Sequence, residues 1–260
     1  MSISIGNERL YNDLAWLWPI VSPPEDYIAE ALQFVDIYRR YSRLDFNGPG
    51  FVKGSPSLLH LGCGGGHLDH TLKKYFQITG VDLSQPMLTL AKQLNPELLY
   101  LQGDMRSIQL YQTFDAVIIA DSIDYMLDEN DLRAAFHTAW IHLKPGGVFI
   151  TYAEEIQDEF ENNRTSSSSH SKDNMAVTLV ENLYDPDPVD NVYEMTFIYL
   201  IRSSGLLTIE IDRHKAGLFA KKTWFSLLRA VGFTVLEHNV NEETFPFFVG
   251  VRSEESIDIS

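Results

Sequence analysis

The sequence predicts a doubly wound α/β fold: a mostly parallel sheet with an antiparallel β subdomain inserted near its C-terminal end. Three observations carry this. Short apolar runs at 57–61, 77–81, 98–102, 115–120 and 147–153 alternate with helix-length segments, the rhythm of a parallel sheet covered on both faces. The first run, Leu58-Leu59-His60-Leu61, opens into a loop with glycine at 62, 64 and 66. A glycine-rich turn between strand and helix lets a ligand approach the backbone closely, because no Cβ intervenes. The second run ends in Asp82, at the roughly 20-residue spacing that places a carboxylate on a ribose hydroxyl. A nucleoside cofactor is therefore expected.

The N-terminal residues, including Tyr11, Trp16 and Trp18, have no strong period. Ser22-Pro23-Pro24-Glu25 reads as a capping box with proline at the first helical position. The helix it opens places Ile28, Ala31, Leu32, Val35 and Tyr38 on one face, and Asn47-Gly48-Pro49-Gly50 closes this section. After the glycine loop, Leu68 to Phe76 continue as a helix. Residues 129–142 suit a helix leading into the turn Leu143-Lys144-Pro145-Gly146-Gly147. Glu154 to Asn174, polar and containing four consecutive serines from Ser166, reads as a mobile loop. Three alternating strands follow: one around Val177, Leu179, Glu181 and Leu183, one carrying Tyr193, Met195, Phe197, Tyr199 and Ile201, and, past Ser203-Ser204-Gly205, one carrying Leu207, Ile209 and Ile211. Thr223 is expected to cap a helix with Phe225, Leu228 and Val231 that ends at Gly232. Phe233 to Glu237 and Pro246 to Val251 form a last strand pair.

Composition narrows the function. Thirty-six acidic against 20 basic residues give a formal charge of −16. Such a field repels phosphate backbones and anionic membranes, so neither nucleic acid nor a membrane is an expected partner. The hydrophobic fraction of 45% supports a substantial core. The single cysteine, Cys63, cannot form an intramolecular disulfide, which fits a reducing cytoplasm. It reads as a small residue packed in the loop rather than a nucleophile. Leu14 to Val21 is short and broken by Pro19, neither signal peptide nor membrane span.

The loop also discriminates among cofactors. The nicotinamide fingerprint G-x-G-x-x-G needs glycine where His67 stands, and a P-loop needs a G-K-[ST] sequence that is missing. The pattern G-x-G-x-G is followed in order by Val81-Asp82-Leu83-Ser84-Gln85-Pro86-Met87-Leu88, by Leu101-Gln102-Gly103-Asp104-Met105-Arg106, by Phe114-Asp115-Ala116-Val117 with Ala120-Asp121-Ser122, and by Leu143-Lys144-Pro145-Gly146-Gly147. Over residues 57–153 this ordered set resembles the class I S-adenosylmethionine-dependent methyltransferases. The resemblance implies a seven-stranded, Rossmann-like methyltransferase sheet and S-adenosylmethionine as cofactor. It implies cofactor contacts at His60, Gly62, Cys63, Gly64, Asp82, Leu83, Met87, Gly103, Asp104, Met105 and Ala120. One departure stands out: the family carries an acid at the position of His60.

The inserted strands, the tail from Ile211 to Phe233, and Tyr11-Asn12-Asp13-Leu14 with Asp26-Tyr27 are similar to a small-molecule subgroup, the amino-sugar N,N-dimethyltransferases and glycine N-methyltransferases. In that subgroup a tyrosine of the first segment and a histidine after the fourth strand lie near the acceptor amine. Tyr11 matches the first; the second falls on Tyr125, so the histidine is missing. Tyr11 and Tyr125 are the implied catalytic residues, with no metal.

The chain is thus expected to divide into an N-terminal helical lid (1–50), a cofactor-binding core (51–153), an inserted antiparallel subdomain (154–215) and a C-terminal helix and strand pair (216–260). The expected activity is methyl transfer to nitrogen or oxygen of a small-molecule acceptor; the alternative is a non-catalytic cofactor-binding protein that kept the fold. Tyr11, Trp16 and Trp18 are candidates either for cation–π stabilisation of the sulfonium or for packing on the sheet. The aromatic face of the second inserted strand reads as subdomain core or a homodimer contact before a substrate box. His60, His67 and His70 read as structural. The run Glu154, Glu155, Asp158, Glu159 reads as a solvated face, or as the acidic mouth of a site for a cationic amine.

Overall fold

The computed structural model describes residues 2–42, 54–238 and 246–253. The Asn47-Gly48-Pro49-Gly50 turn and the boundary expected between residues 50 and 51 lie outside them. The chain begins with β1 (Ser2–Asn7), 3-10 turns at Arg9–Tyr11 and Ala15–Leu17, a short α1 (Trp18–Val21), a 3-10 turn at Pro24–Tyr27 and α2 (Ile28–Tyr41). The core follows as β2 (Ser57–Leu61), α3 (His67–Leu72), β3 (Gln77–Asp82), α4 (Gln85–Leu94), β4 (Leu99–Gln102), β5 (Phe114–Ile119), a 3-10 turn at Asp121–Tyr125, α5 (Glu129–Ile141) and β6 (Leu143–Tyr152). Strands β7 (Arg164–Lys172), β8 (Met175–Tyr184), β9 (Val192–Ser203) and β10 (Leu206–Gly217) come next, then α6 (Lys221–Val231), β11 (Phe233–His238) and β12 (Phe247–Arg252).

These elements form two sheets. The larger has seven strands in the order β11-β12-β6-β5-β2-β3-β4, parallel except that β12 runs antiparallel to both neighbours. Alternate residues of one strand feed opposite layers. Leu59 and Leu61 of β2 pack with Phe136 of α5 and with Trp224 and Leu228 of α6. Leu58 turns the other way, toward Phe34 and Tyr38 of α2 and Leu72 of α3. Burial on both faces is why these strands read as continuous apolar runs. The strand order reverses between β2 and β5, so the loops after these two strands part and leave a crevice at their carboxyl ends.

The second sheet has five strands, β1-β10-β9-β8-β7, antiparallel except for the parallel pair β1–β10. Two of its strands depart from the expectation. Ser2–Asn7, expected within a helical lid, is an edge strand. The supposed mobile loop contains β7, whose residues are exposed except for a half-buried His170. An edge strand with both faces in water needs no apolar period, and its backbone pairing with β8 supplies the order that its side chains do not announce.

Three local expectations also change. Ser22 does not cap a helix: it hydrogen-bonds the Tyr27 hydroxyl at 2.8 Å, and a 3-10 turn precedes α2. Thr223 lies inside α6, which begins after Ala220 without a side-chain cap and ends at Gly232 with φ 117°. Leu143-Lys144-Pro145-Gly146-Gly147 belongs to β6, where the register against β5 shifts between Phe114 and Ala116. Among the described residues no helix is long and apolar enough to cross a membrane.

Candidate active site

The crevice is a cavity of about 450 Å³, lined by every residue named above as a cofactor contact and by Tyr11, Tyr125 and Trp18; Trp16, 43% exposed, does not line it. Its floor is the glycine loop. Gly62 has φ 72°, and a Cβ there would run into the Ser122 and Met105 side chains. The amides of Gly62 and Cys63 donate to the Val81 carbonyl at 2.7 and 3.0 Å, tying the loop to the end of β3. Gly64 N donates to one oxygen of Asp82 at 2.7 Å, and Ser84 N to the other at 2.8 Å. Two amides therefore aim the carboxylate, and each oxygen keeps acceptor capacity for a diol. Burial pushes the Asp82 carboxyl above its usual range while these amides oppose the shift.

Asp104 is held differently. The Arg106 guanidinium grips its carboxylate, with a shortest contact of 2.6 Å, reaches Asp131 at 2.8 Å, and keeps Asp104 below the usual carboxylate range. Leu83 stands 63% exposed at the rim, an apolar flank for a flat ring, with Met105 also in the wall. A diol acceptor, a Cβ-free loop and apolar flanks fit the nucleoside half of S-adenosylmethionine. Cys63 is buried, and burial pushes its thiol far up, so it is no nucleophile.

His60 stands where the family carries an acid. Its Nδ1 lies 2.7 Å from Asp69, whose other oxygen accepts from the Tyr100 hydroxyl at 3.0 Å. A carboxylate only accepts, so Nδ1 carries the proton. Burial works against a charged ring, yet Asp69 outweighs it and raises the His60 pKa. Its Nε2 is buried without a protein partner. In the same wall, Asp121 is pushed up by burial and pulled down by His60. The other two histidines are committed elsewhere, His67 to the Ser22 carbonyl at 2.7 Å and His70 to Asn95 at 3.1 Å.

A second cavity, of about 170 Å³, lies between the core and the inserted sheet. Tyr11, Trp18, Asp121 and Tyr125 line both cavities. The carboxyls of Asp121, Asp124, Glu154 and Glu181 share the second wall with Tyr193, Phe197 and Tyr199, and among the described residues no lysine or arginine joins them. One oxygen of the buried Asp124 and the Tyr199 hydroxyl have no protein partner. Burial pushes Asp124 well above its usual range. The aromatic face of β9 is thus both core and cavity wall: Tyr193 and Tyr199 are 1% and 0% exposed.

Across the shared wall runs a chain of hydrogen bonds: Tyr11 Oη to Tyr125 Oη at 2.8 Å, Tyr125 Oη to His214 Nδ1 at 2.7 Å, and His214 Nε2 to Asp212 at 2.8 Å. Asp212 also accepts the amides of Arg9 at 2.8 Å and Leu10 at 2.7 Å. Enclosure pushes both phenols well above their usual range, so they are neutral hydroxyls. Sequence reasoning missed Asp121, Asp124, Asp212 and His214. The signal for the last pair was the spacing: Asp212 and His214 are i, i+2 on one strand and turn inward together, at 0% and 2% exposure.

A crevice at a strand-order reversal, a glycine loop and an anchored acid define a nucleoside-cofactor enzyme of the doubly wound class. A methyltransferase domain model matches residues 58–147. The chain is 33% identical over 158 residues, 60% of its length and 62% of the relative's, to a dTDP-3-amino-3,4,6-trideoxy-α-D-glucopyranose N,N-dimethyltransferase of Streptomyces venezuelae. It is 25% identical over 239 residues, 90% of its length and 89% of the relative's, to a dTDP-3-amino-3,6-dideoxy-α-D-glucopyranose N,N-dimethyltransferase of Streptomyces fradiae. The crystal structure of Streptomyces venezuelae DesVI superposes with a TM-score of 0.79 at 26% identity, covering 95% of this chain and 99% of the other. Residues 58–147 thus carry a methyltransferase domain, and over its length the chain is similar to sugar N,N-dimethyltransferases.

Proposed function

We propose that the protein methylates the amine of an amino sugar. The observation that carries this reading is the second cavity: four carboxyls and six Tyr, Trp and Phe rings, with no lysine or arginine among the described residues, beside the cofactor cavity. Ionised carboxylates in this wall attract an ammonium group. The relatives' names supply the sugar. Bound S-adenosylmethionine supplies an electrophilic methyl group on a sulfonium centre. Asp82 would hold the ribose, with Gly62, Cys63, Gly64 and Met87 against the loop side. Leu83, Gly103, Asp104 and Met105 would flank the base, and His60 and Ala120 would face the methionyl end. Tyr11 and Tyr125 orient the acceptor nitrogen, and the N-terminal segment with residues 154–215 roofs the site and excludes water, which is most of what such a displacement requires.

The charge of −16 keeps nucleic acid out, and the lone cysteine suits a cytoplasmic enzyme. The homodimer expected above would draw on the edge strand of the five-stranded sheet, where Ile3 and Ile5 are exposed; light scattering reads that state. The activity test is incubation with S-adenosylmethionine and dTDP-3-amino-3,6-dideoxyglucose, read by mass spectrometry. One or two methyl additions on nitrogen are expected. Methylation only of hydroxyl acceptors, or none with S-adenosylhomocysteine still bound, would overturn the reading.

A further inference from the structure

We infer that His214, from the inserted sheet, takes the proton released by the acceptor amine, through Tyr125 and Tyr11. The inference rests on the amine reading above. His214 touches neither cofactor cavity nor cofactor residues of the glycine loop; it is a positioning residue that also stores the proton.

The direction of the chain follows from its closed end. Asp212 accepts two backbone amides, which marks it as an acceptor toward everything around it. His214 Nε2 must then donate to it. In the neutral ring Nδ1 is left as an acceptor, so the Tyr125 hydroxyl donates to Nδ1. With its proton committed, Tyr125 accepts from Tyr11. The Tyr11 oxygen keeps a lone pair at the shared wall of the two cavities, where an N–H of the acceptor would donate. Every bond in the row points toward His214. Rings hold the imidazole in place: Phe197 meets it edge-on at 5.1 Å, and Tyr11 and Tyr125 lie 5.4 and 5.8 Å away.

The row matters because an ammonium has no lone pair. An amine enters the acidic cavity protonated, and before it attacks it must lose one proton. That proton passes to Tyr11 as Tyr11 passes its own to Tyr125 and Tyr125 passes its own to His214. The freed nitrogen forms the N–C bond while the C–S bond breaks and its pair leaves on sulfur. The products are the methylated ammonium, the thioether and an imidazolium paired with Asp212, so charge and atoms balance. The proton later returns to solvent.

The surroundings suit a transient cation. On its own strand His214 faces Asp212. From the N-terminal turn come Tyr11 and Arg9, whose guanidinium is engaged by Asp13 and Glu210. The turn after β5 adds Tyr125, Asp121 and Asp124, and Glu154, Glu181, Tyr193 and Tyr199 lie across the cavity. The subgroup's missing histidine is thereby replaced, in reach of the same tyrosine position, by one from a different element.

The experiment compares wild type with His214→Asn and Tyr125→Phe, using dTDP-3-amino-3,6-dideoxyglucose as acceptor between about pH 6.5 and 9.5, the range around which amines titrate. In the wild type, kcat should change little over the lower part of this range. In both variants it should fall about tenfold per pH unit below the amine's own pKa, because only pre-ionised free amine reacts. S-adenosylhomocysteine affinity should stay within about twofold, since neither group is in the nucleoside half. A merely structural loss would lower kcat by the same factor at every pH, and parallel profiles would overturn the inference. A second arm needs no acceptor: nitrogen-15 NMR of the resting enzyme should show His214 protonated at Nε2 and bare at Nδ1. The opposite tautomer would overturn it too, even if this sugar is not a substrate, whereas absence of all amine methylation with the expected tautomer would fault the acceptor assignment instead.

Discussion

The two halves of the site are built by opposite means. On the nucleoside side, the decisive contacts are backbone to side chain and short in sequence. Gly64 N reaches Asp82 over 18 positions, and Ser84 N reaches it over two. On the acceptor side, the contacts that join different elements are long in sequence. Tyr11 meets Tyr125 across 114 positions, Tyr125 meets His214 across 89, and Leu10 N meets Asp212 across 202. The first half is geometry carried within one strand-helix-strand unit, β2-α3-β3, and the loop that follows it. The second exists only when the inserted sheet, the N-terminal turn and the core are docked together. Under the proposed function, methyl donation would rest on a module and acceptor choice on an assembly, and substitutions in the assembly would alter the acceptor pocket without touching the cofactor.

The contrast is most sharply tested at the clasp of the assembly. Asp212→Ala would leave the Arg9 and Leu10 amides and the His214 donor unpaired, and should destabilise the protein by about 3 kcal/mol or more. Denaturant unfolding measures this; a variant as stable as wild type would mean that the acceptor half does not depend on docking at Asp212.

Asp82→Ala addresses the other half. Losing charge-assisted bonds to the ribose should weaken S-adenosylhomocysteine binding by about ten- to a hundredfold, as calorimetry would read. An unchanged affinity would remove Asp82 from the nucleoside site.

A smaller effect is expected of Tyr11→Phe, which keeps the ring and removes the hydroxyl at the junction. The kcat should fall about tenfold with cofactor affinity preserved. A change in cofactor affinity instead would show that the two halves are not separable.

The smallest effect concerns pH. Burial, with Asp121 adding to it, pushes Glu30 up from 4.5 to about 7. A raised carboxyl pKa means that the folded state binds the extra proton, so this stabilisation is complete below 4.5 and is lost as pH rises through about 7. Glu30→Gln keeps an acceptor for the Tyr152 hydroxyl, bonded at 3.1 Å. It should match wild-type stability near pH 4.5 and exceed it above pH 7, with thermal melts as the measure. Parallel curves for the two proteins would show that Glu30 is not strained by its surroundings.

The same division governs what could be read in advance. By itself the sequence determined the parallel core, the glycine loop and Asp82, because strands buried on both faces leave apolar runs and a nucleoside turn leaves glycines and an acid at fixed local spacing. It marked Tyr11 and Tyr125 through their resemblance to a subgroup, and it identified the aromatic face of β9 without saying that one face could be core and cavity wall together. Only the tertiary structure decided the rest. Edge strand β7 has largely exposed polar side chains and so carries no period that separates it from loop, and β1 offers only the brief alternation of Ile3 and Ile5. Asp212 and His214 are ordinary polar residues on a strand until the N-terminal turn places two amides on one and the turn after β5 places Tyr125 on the other. A local pattern records which face of an element is buried. It holds no record of which distant polar group will meet a given side chain there, because that partner is chosen by the docking of elements some two hundred positions apart.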